Sequence, residues 1–199
     1  MKKLMMILAI LLTFSVSASA QVPSSPVSFY AGGALSIPSG PDSFKEAFKN
    51  GFHGTLGVGY DLNPMFELVG KIEYHSFKFD FTDALSEYSG GTNKMWMYGV
   101  DVKLSPSLPA LPVKPYILGG LGMASIKQSE FSGPTSLSLS LLNDAISESQ
   151  TKLYYNFGLG ANLMNTPVFS LFIQARYVGI STDIETTSFM PITVGAKFF

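Results

Sequence analysis

The sequence predicts an all-β fold, an eight-stranded antiparallel up-and-down β-barrel that spans a membrane, and three observations carry that expectation. The first is a spacing of eight between aromatic residues: Phe52 and Tyr60, Phe66 and Tyr74, Phe169 and Tyr177. Side chains alternate with period two along a strand, so each pair shares one face. Eight residues at about 3.3 Å, tilted by about 40°, span roughly 20 Å, close to the apolar band of a membrane barrel with an aromatic girdle at each edge. The second is what lies between the aromatics. One face is small or apolar (Gly54, Leu56, Val58; Leu68, Gly70, Ile72; Leu171, Ile173, Ala175), whereas the other carries His53, Thr55, Glu67, Lys71, Glu73, Gln174 and Arg176. The third is the alternation of long connections with tight turns.

The chain opens with an export signature. Met1-Lys2-Lys3 is a short basic start, Leu4 to Val16 an apolar stretch, and Ala18-Ser19-Ala20 a small-x-small cleavage site that makes Gln21 the mature N-terminus. Residues 1–20 are therefore read as a signal peptide and residues 21–199 as one barrel domain. The apolar stretch is too short for a spanning helix. No cysteine follows the cleavage site, which excludes a lipoprotein anchor, and none occurs anywhere. The fold must then rest on its backbone ladder and packing. The net charge of −1 and the lack of a basic run exclude nucleic acid as a partner.

Eight strands follow in order. The first, Val27–Leu35, sets Val27, Phe29, Ala31 and Gly33 against Ser28, Tyr30 and Gly32. The second is Phe52–Asp61 and the third Met65–Phe79. The fourth, Lys94–Leu104, sets Trp96, Tyr98, Val100 and Val102 against Met95, Met97, Gly99, Asp101 and Lys103. The fifth, Lys114–Ile126, is ambiguous, because Tyr116 and Leu118 compete with Ile117, Leu121 and Met123 for the apolar face. The sixth is Thr151–Leu163, the seventh Pro167–Ile180 and the eighth Phe189–Phe199.

Connections 36–51, 80–93, 127–150 and 181–188 are long or moderately long. Leu62-Asn63-Pro64 and Met164-Asn165-Thr166 are tight turns of turn-forming residues. Ser105–Val113, with three prolines, reads as a rigid connection, since proline cannot donate to a ladder. Short helices are expected after Pro41-Asp42-Ser43, where Phe44 and Phe48 form a stripe stopped by Gly51, and over Leu141–Ser147. The run Ser136–Leu142 alternates and would alternatively extend its hairpin. Long loops outside and short turns in the periplasm are the asymmetry of an outer-membrane barrel. With an even strand number, both termini fall on the periplasmic side.

The segments Ser28-Phe29-Tyr30-Ala31-Gly32-Gly33, Gly57-Val58-Gly59-Tyr60-Asp61-Leu62-Asn63-Pro64, Lys114-Pro115-Tyr116-Ile117-Leu118-Gly119-Gly120-Leu121-Gly122 and Met190 to Phe199 carry a resemblance to the OmpA/OmpX-like eight-stranded outer-membrane barrels. The match is to architecture and motif style, with no peptidoglycan-binding domain implied. It implies the cell outer membrane as location, outer-membrane lipid as surroundings and the barrel-assembly machinery as a partner during biogenesis. The chain departs from the family in one respect. Family members end in an aromatic residue on the lipid face, but here Met190, Ile192, Val194, Ala196 and Phe198 share that phase and leave Phe199 one residue out. A bulge near the end would restore it.

A soluble barrel would turn the apolar face inward. Strands of ten residues or more, aromatics at the ends of the apolar face, and glycine on the polar face (Gly32, Gly57, Gly59, Gly99, Gly158, Gly160, Gly195) oppose that arrangement. The aromatic girdles are assigned to Phe52, Tyr60, Phe66, Tyr74, Trp96, Tyr155, Phe169 and Tyr177. The inward charges Glu67, Lys71, Glu73, Asp101, Lys103 and Arg176, joined by Lys152 and Lys197, are expected to form a lumen charge network. In it Glu67 meets Lys103, with Lys71 and Asp101 just above. His53 and His75 face inward as hydrogen-bonding groups, since no further ligand of metal spacing accompanies them. No catalytic residue, cofactor or metal is expected, and the glycine-rich strands are not phosphate loops. The function expected is that of a monomeric, non-enzymatic envelope scaffold whose loops make surface contacts. The alternative is a narrow OmpW-like channel for small apolar solutes, lined by Met95, Met97, Tyr154 and Phe172.

Overall fold

The computed structural model describes residues 26–80, 89–106, 113–129, 131–132, 149–182 and 185–199. The barrel strands are β1 (Val27–Gly40), β2 (Gly51–Asp61), β3 (Phe66–Phe77), β4 (Asn93–Leu104), β5 (Lys114–Gln128), β6 (Gln150–Asn165), β7 (Phe169–Ser181) and β8 (Thr186–Phe198). Each pairs antiparallel with its neighbours in sequence, and β8 closes on β1 through Phe29↔Phe198 to Gly40↔Ser188. The closed ladder leaves no strand edge for lipid to meet, which is the condition for spanning a membrane with strands. No helix among the described residues is long and apolar enough to cross one.

The tight turns hold their register by side-chain hydrogen bonds. Asn63 Oδ1 accepts from the Met65 and Phe66 amides at 2.9 and 3.0 Å. Thr166 Oγ1 accepts from the Phe169 amide at 3.0 Å and donates to the Phe169 carbonyl at 2.7 Å. These are Asx- and Thr-based turns. They define a turn end of the barrel, and the long connections define a loop end.

Two boundaries differ most from the sequence expectation. β1 continues through Ser36-Ile37-Pro38-Ser39-Gly40 and β8 begins at Thr186, so at the loop end β1 runs past β2 while β8 stays paired with β7. Ser36 and Pro38 point inward there, continuing the alternation beyond the apolar run that marks the strand in sequence. The β8–β7 ladder is interrupted at Met190 and Pro191, where the proline has no N–H to donate. Ser89–Gly90 and Phe131–Ser132 pair as a small ribbon between two long connections, an element with no signal in the sequence. Leu141–Ser147, Ser136–Leu142, most of Ser105–Val113 and residues 1–20 lie outside the described residues.

The helix after Pro41 is α1 (Asp42–Ala47), with the acidic Asp42 in its first turn. It folds over the loop end and buries Phe44 against Phe77, ring centroids 5.4 Å apart. The fifth strand resolves with Tyr116 and Leu118 inward and Ile117, Leu121 and Met123 outward. At the C-terminus no bulge interrupts β8 near its end. Phe198 pairs with Phe29 and Phe169 and faces outward, while Phe199 lies at the inner rim with the Lys197 ammonium 5.1 Å above its ring.

Candidate functional site

The lumen is where polar and ionisable side chains converge, and it is filled in three layers. At the turn end, Tyr30 on β1 donates its hydroxyl to the Glu67 carboxylate, 2.7 Å from each oxygen, and Ser28 Oγ donates to Oε1 at 3.0 Å. Lys197 on β8 reaches the same carboxylate at 2.9 Å and Asp61 at 3.5 Å. Glu67 and Lys103 are ladder partners, as the strand phases require. The expected ion pair between them is nevertheless absent. The Glu67 carboxylate turns toward Tyr30 and Lys197. The Lys103 ammonium instead sits among three rings, 4.0 Å from the centroid of Tyr30, 4.7 Å from Tyr116 and 5.4 Å from Phe172. Ring faces attract a cation by their quadrupole, most effectively where water is excluded.

The middle layer is a chain of opposite charges. Lys71 on β3 stands 2.7 Å from Asp101 and 3.1 Å from Glu73. Arg176 on β7 crosses the lumen to grip Glu73 with both terminal nitrogens, Nη1 to Oε2 at 3.0 Å and Nη2 to Oε1. Asn156 Nδ2 donates to Asp101 at 2.9 Å. Two cations and two anions balance within the layer, and all four are buried. A bidentate guanidinium–carboxylate pair combines charge with fixed geometry. Lys71–Asp101 follows from adjacent strands. Glu73–Arg176 joins strands on opposite sides of the barrel, and nothing in the sequence signals it.

Toward the loop end the network becomes neutral and then apolar. Ser36 Oγ lies 3.2 Å from His53 Nδ1 and 2.9 Å from His75 Nδ1, and His53 Nε2 is 2.9 Å from Thr193 Oγ1. The two imidazoles stack with centroids 5.0 Å apart. Above them Phe77, Met95, Met97, Ala124, Tyr154, Val178, Ile180 and Phe189 form one packed cluster, closed from outside by Phe44 of α1. Met95, Met97 and Tyr154, read from sequence as lining an apolar path, are buried inside this cluster, and Phe172 is buried with Tyr30 and Val69 near the turn end. Among the described residues no group of three or more His, Asp or Glu is placed to hold a metal ion.

The inward glycines mark where the large lumen side chains lie. A Cβ on Gly99 would strike the Tyr154 hydroxyl, one on Gly160 the Tyr116 ring, one on Gly158 the Arg176 stem and one on Gly195 the Phe172 ring. Three of these bulky partners come from a neighbouring strand, and Tyr154 reaches Gly99 across β5.

The outer wall is apolar, with Leu56, Leu121, Phe157 and Leu159 all more than half exposed. Phe52, Tyr74, Trp96, Tyr155 and Tyr177 face outward toward the loop end. Tyr74 packs between Phe52 and Trp96 at centroid distances of 6.3 and 5.0 Å, and Tyr177 against Phe157 at 5.3 Å. Tyr60, Phe66 and Phe169 lie toward the turn end, the first two exposed and Phe169 half-buried.

Several known proteins share this fold. Neisserial surface protein A is 19% identical, with 87% of this chain and 97% of that one covered and a TM-score of 0.59. A major outer membrane protein of Thermus thermophilus is 15% identical, with 86% and 97% covered and a TM-score of 0.56. The Yersinia pestis outer membrane protein Ail in a phospholipid nanodisc is 20% identical, with 87% and 100% covered and a TM-score of 0.50. At these identities the likeness is one of fold. No curated protein matches the chain in sequence. The model of the outer membrane protein β-barrel domain matches residues 6–198, and with that match the closed eight-stranded ladder and its apolar wall place the chain in the bacterial outer-membrane β-barrel family.

Proposed function

We propose that this protein is a non-enzymatic scaffold of the cell envelope. Its barrel is sealed, and its outer loops, 36–51, 80–93 and 127–150, make whatever contacts it has with other molecules. The signal peptide of residues 1–20 exports it, the barrel-assembly machinery inserts it, and it works as a monomer. The observation that carries this reading is the filled lumen. The Arg176–Glu73–Lys71–Asp101 chain occupies the middle, and the apolar cluster beneath Phe44 occupies the loop end. A transport path needs either water or a lined gap along the axis, whereas Met95, Met97 and Tyr154 meet one another and their neighbours in packed contact. Loops on a rigid barrel are the segments free to carry recognition.

Planar-bilayer recording tests the reading. The purified protein is expected to add no conductance steps to the membrane. Steady single-channel steps, or uptake of an apolar solute into vesicles that depends on the protein, would overturn it in favour of the narrow channel.

A further inference from the structure

The barrel wall carries a recess on its outer face. Along one ladder row the outward positions are Gly33, Gly54, Tyr74 and Trp96, in register from β1 to β4. A Cβ built on Gly54 would find open space. The result is a groove of about 320 Å³ with Ala31 and Gly54 in its floor and Leu56, Ile72, Tyr74 and Trp96 among its walls. One step further toward the loop end, Lys94 on β4 and Lys127 on β5 are direct ladder partners. Both share the outward phase of Trp96 and both are exposed. Opposed residues on antiparallel strands hold their Cβ atoms about 5 Å apart, and like charges so placed destabilise a sheet. Among the described residues neither lysine is ion-paired.

We propose that the groove and the two lysines form one site for an anionic, phosphate-bearing lipid of the outer leaflet, with an acyl chain in the groove and the phosphate between Lys94 and Lys127. The arrangement follows the order of a lipid molecule. The groove lies within the apolar band, Tyr74 and Trp96 stand where aromatic rings settle at headgroup level, and the paired charges lie just beyond. In hydrocarbon a groove gains nothing from expelling water, so chain packing alone does not choose among lipids. Selectivity comes from the charge. A basic residue at an anionic membrane surface favours binding by about fivefold, and two favour it by about 25-fold. A bound phosphate also removes the mutual repulsion of Lys94 and Lys127.

The test uses the protein purified from membranes and reconstituted in phosphatidylcholine vesicles holding a trace of spin-labelled phosphatidylglycerol or, separately, spin-labelled phosphatidylcholine. The motionally restricted fraction gives the relative association of each. Wild type is expected to prefer the anionic lipid by roughly 25-fold, and the K94Q/K127Q double variant to lose that preference. Gly54→Leu fills the recess and is expected to reduce restriction of the labelled chain. Lys45→Gln, an exposed lysine on α1, is expected to change nothing. The altered positions are exposed or face open space, so the barrel folds in each variant, as the gel shift of unboiled samples reads. Equal association of the two lipids, an unchanged preference in the double variant, or an equal loss in Lys45→Gln overturns the proposal.

Discussion

Breaking the bidentate pair in the middle of the lumen is the sharpest probe of how the barrel is closed. Glu73 accepts from both terminal nitrogens of Arg176 and stands 3.1 Å from Lys71. Its replacement by methionine leaves two buried cations facing one anion, Asp101. An uncompensated buried charge costs about 3–5 kcal/mol where burial is deep. Arg176→Met leaves the converse imbalance, with Glu73 and Asp101 sharing Lys71, and carries a similar cost. The double variant restores neutrality: Lys71 keeps Asp101 at 2.7 Å and the vacated space holds two thioether chains. Its cost is expected to be close to that of one single variant, which makes the coupling about 3–5 kcal/mol, the size of the other single loss. Urea unfolding in lipid vesicles measures it, with the fluorescence of the sole tryptophan, Trp96, and the unboiled gel band as independent reports. Additivity of the two losses within about 0.5 kcal/mol would refute the view that this pair acts as a unit.

Other perturbations separate the layers. Glu67→Ala is expected to couple more strongly to Lys197→Ala than to Lys103→Ala, because Lys197 touches the carboxylate at 2.9 Å while Lys103 rests on aromatic rings; the two double-mutant cycles, read by urea unfolding, give the order directly. Gly59→Ala is expected to cost about 1–3 kcal/mol, since its Cβ would strike the Glu67 carboxylate and Ser28 Oγ, whereas Gly54→Ala should stay within about 0.5 kcal/mol; thermal or urea midpoints compare them. Phe44→Ala is expected to free α1 from the barrel mouth, seen as faster amide exchange over Asp42–Ala47, while planar bilayers still show no conductance because Phe77 and Phe189 remain below, 5.3 Å apart.

What the sequence reveals and what it hides divides along the barrel wall. The outward face answers to one solvent, so each strand shows its phase locally: the Phe52–Tyr60 and Phe66–Tyr74 spacings name the wall without knowledge of any partner strand. Neighbouring strands are almost as legible, and Lys71–Asp101 follows from phase and adjacency. Contacts across the lumen are different. Arg176 reaches Glu73 over a separation of 103 residues, and Lys197 reaches Glu67 because β8 closes on β1 beside it. Which inward residues meet depends on the shear of the closed barrel, a property of all eight ladders together. Phase also fixes where a Cβ points but not where a long side chain ends. Lys103 shows the difference: its ladder partner is Glu67, yet the nearer favourable environment for its ammonium is the ring set of Tyr30, Tyr116 and Phe172.

The polar interior itself needs a physical reason, since buried ion pairs are often no more stabilising than well-packed apolar residues of similar volume. A strand apolar on both faces would read as a continuous hydrophobic run. Such a run of about eighteen residues or more is a candidate spanning helix, and shorter ones with high β-propensity aggregate in water. A chain that must cross aqueous space before meeting its membrane therefore keeps alternate positions polar, and those positions become the lumen when the wall turns outward. The charges then have to be neutralised where they land, as the Arg176–Glu73–Lys71–Asp101 chain does. The inward positions Met95, Met97, Val178 and Ile180 are apolar near the loop end, where Gly99 ends the apolar stretch in β4 and Gly179 interrupts the one in β7. The seal can be greasy there because the run that makes it is short. The same constraint that shapes the sequence for transit thus leaves a barrel whose described interior is filled by charge in its middle and by hydrocarbon at its mouth.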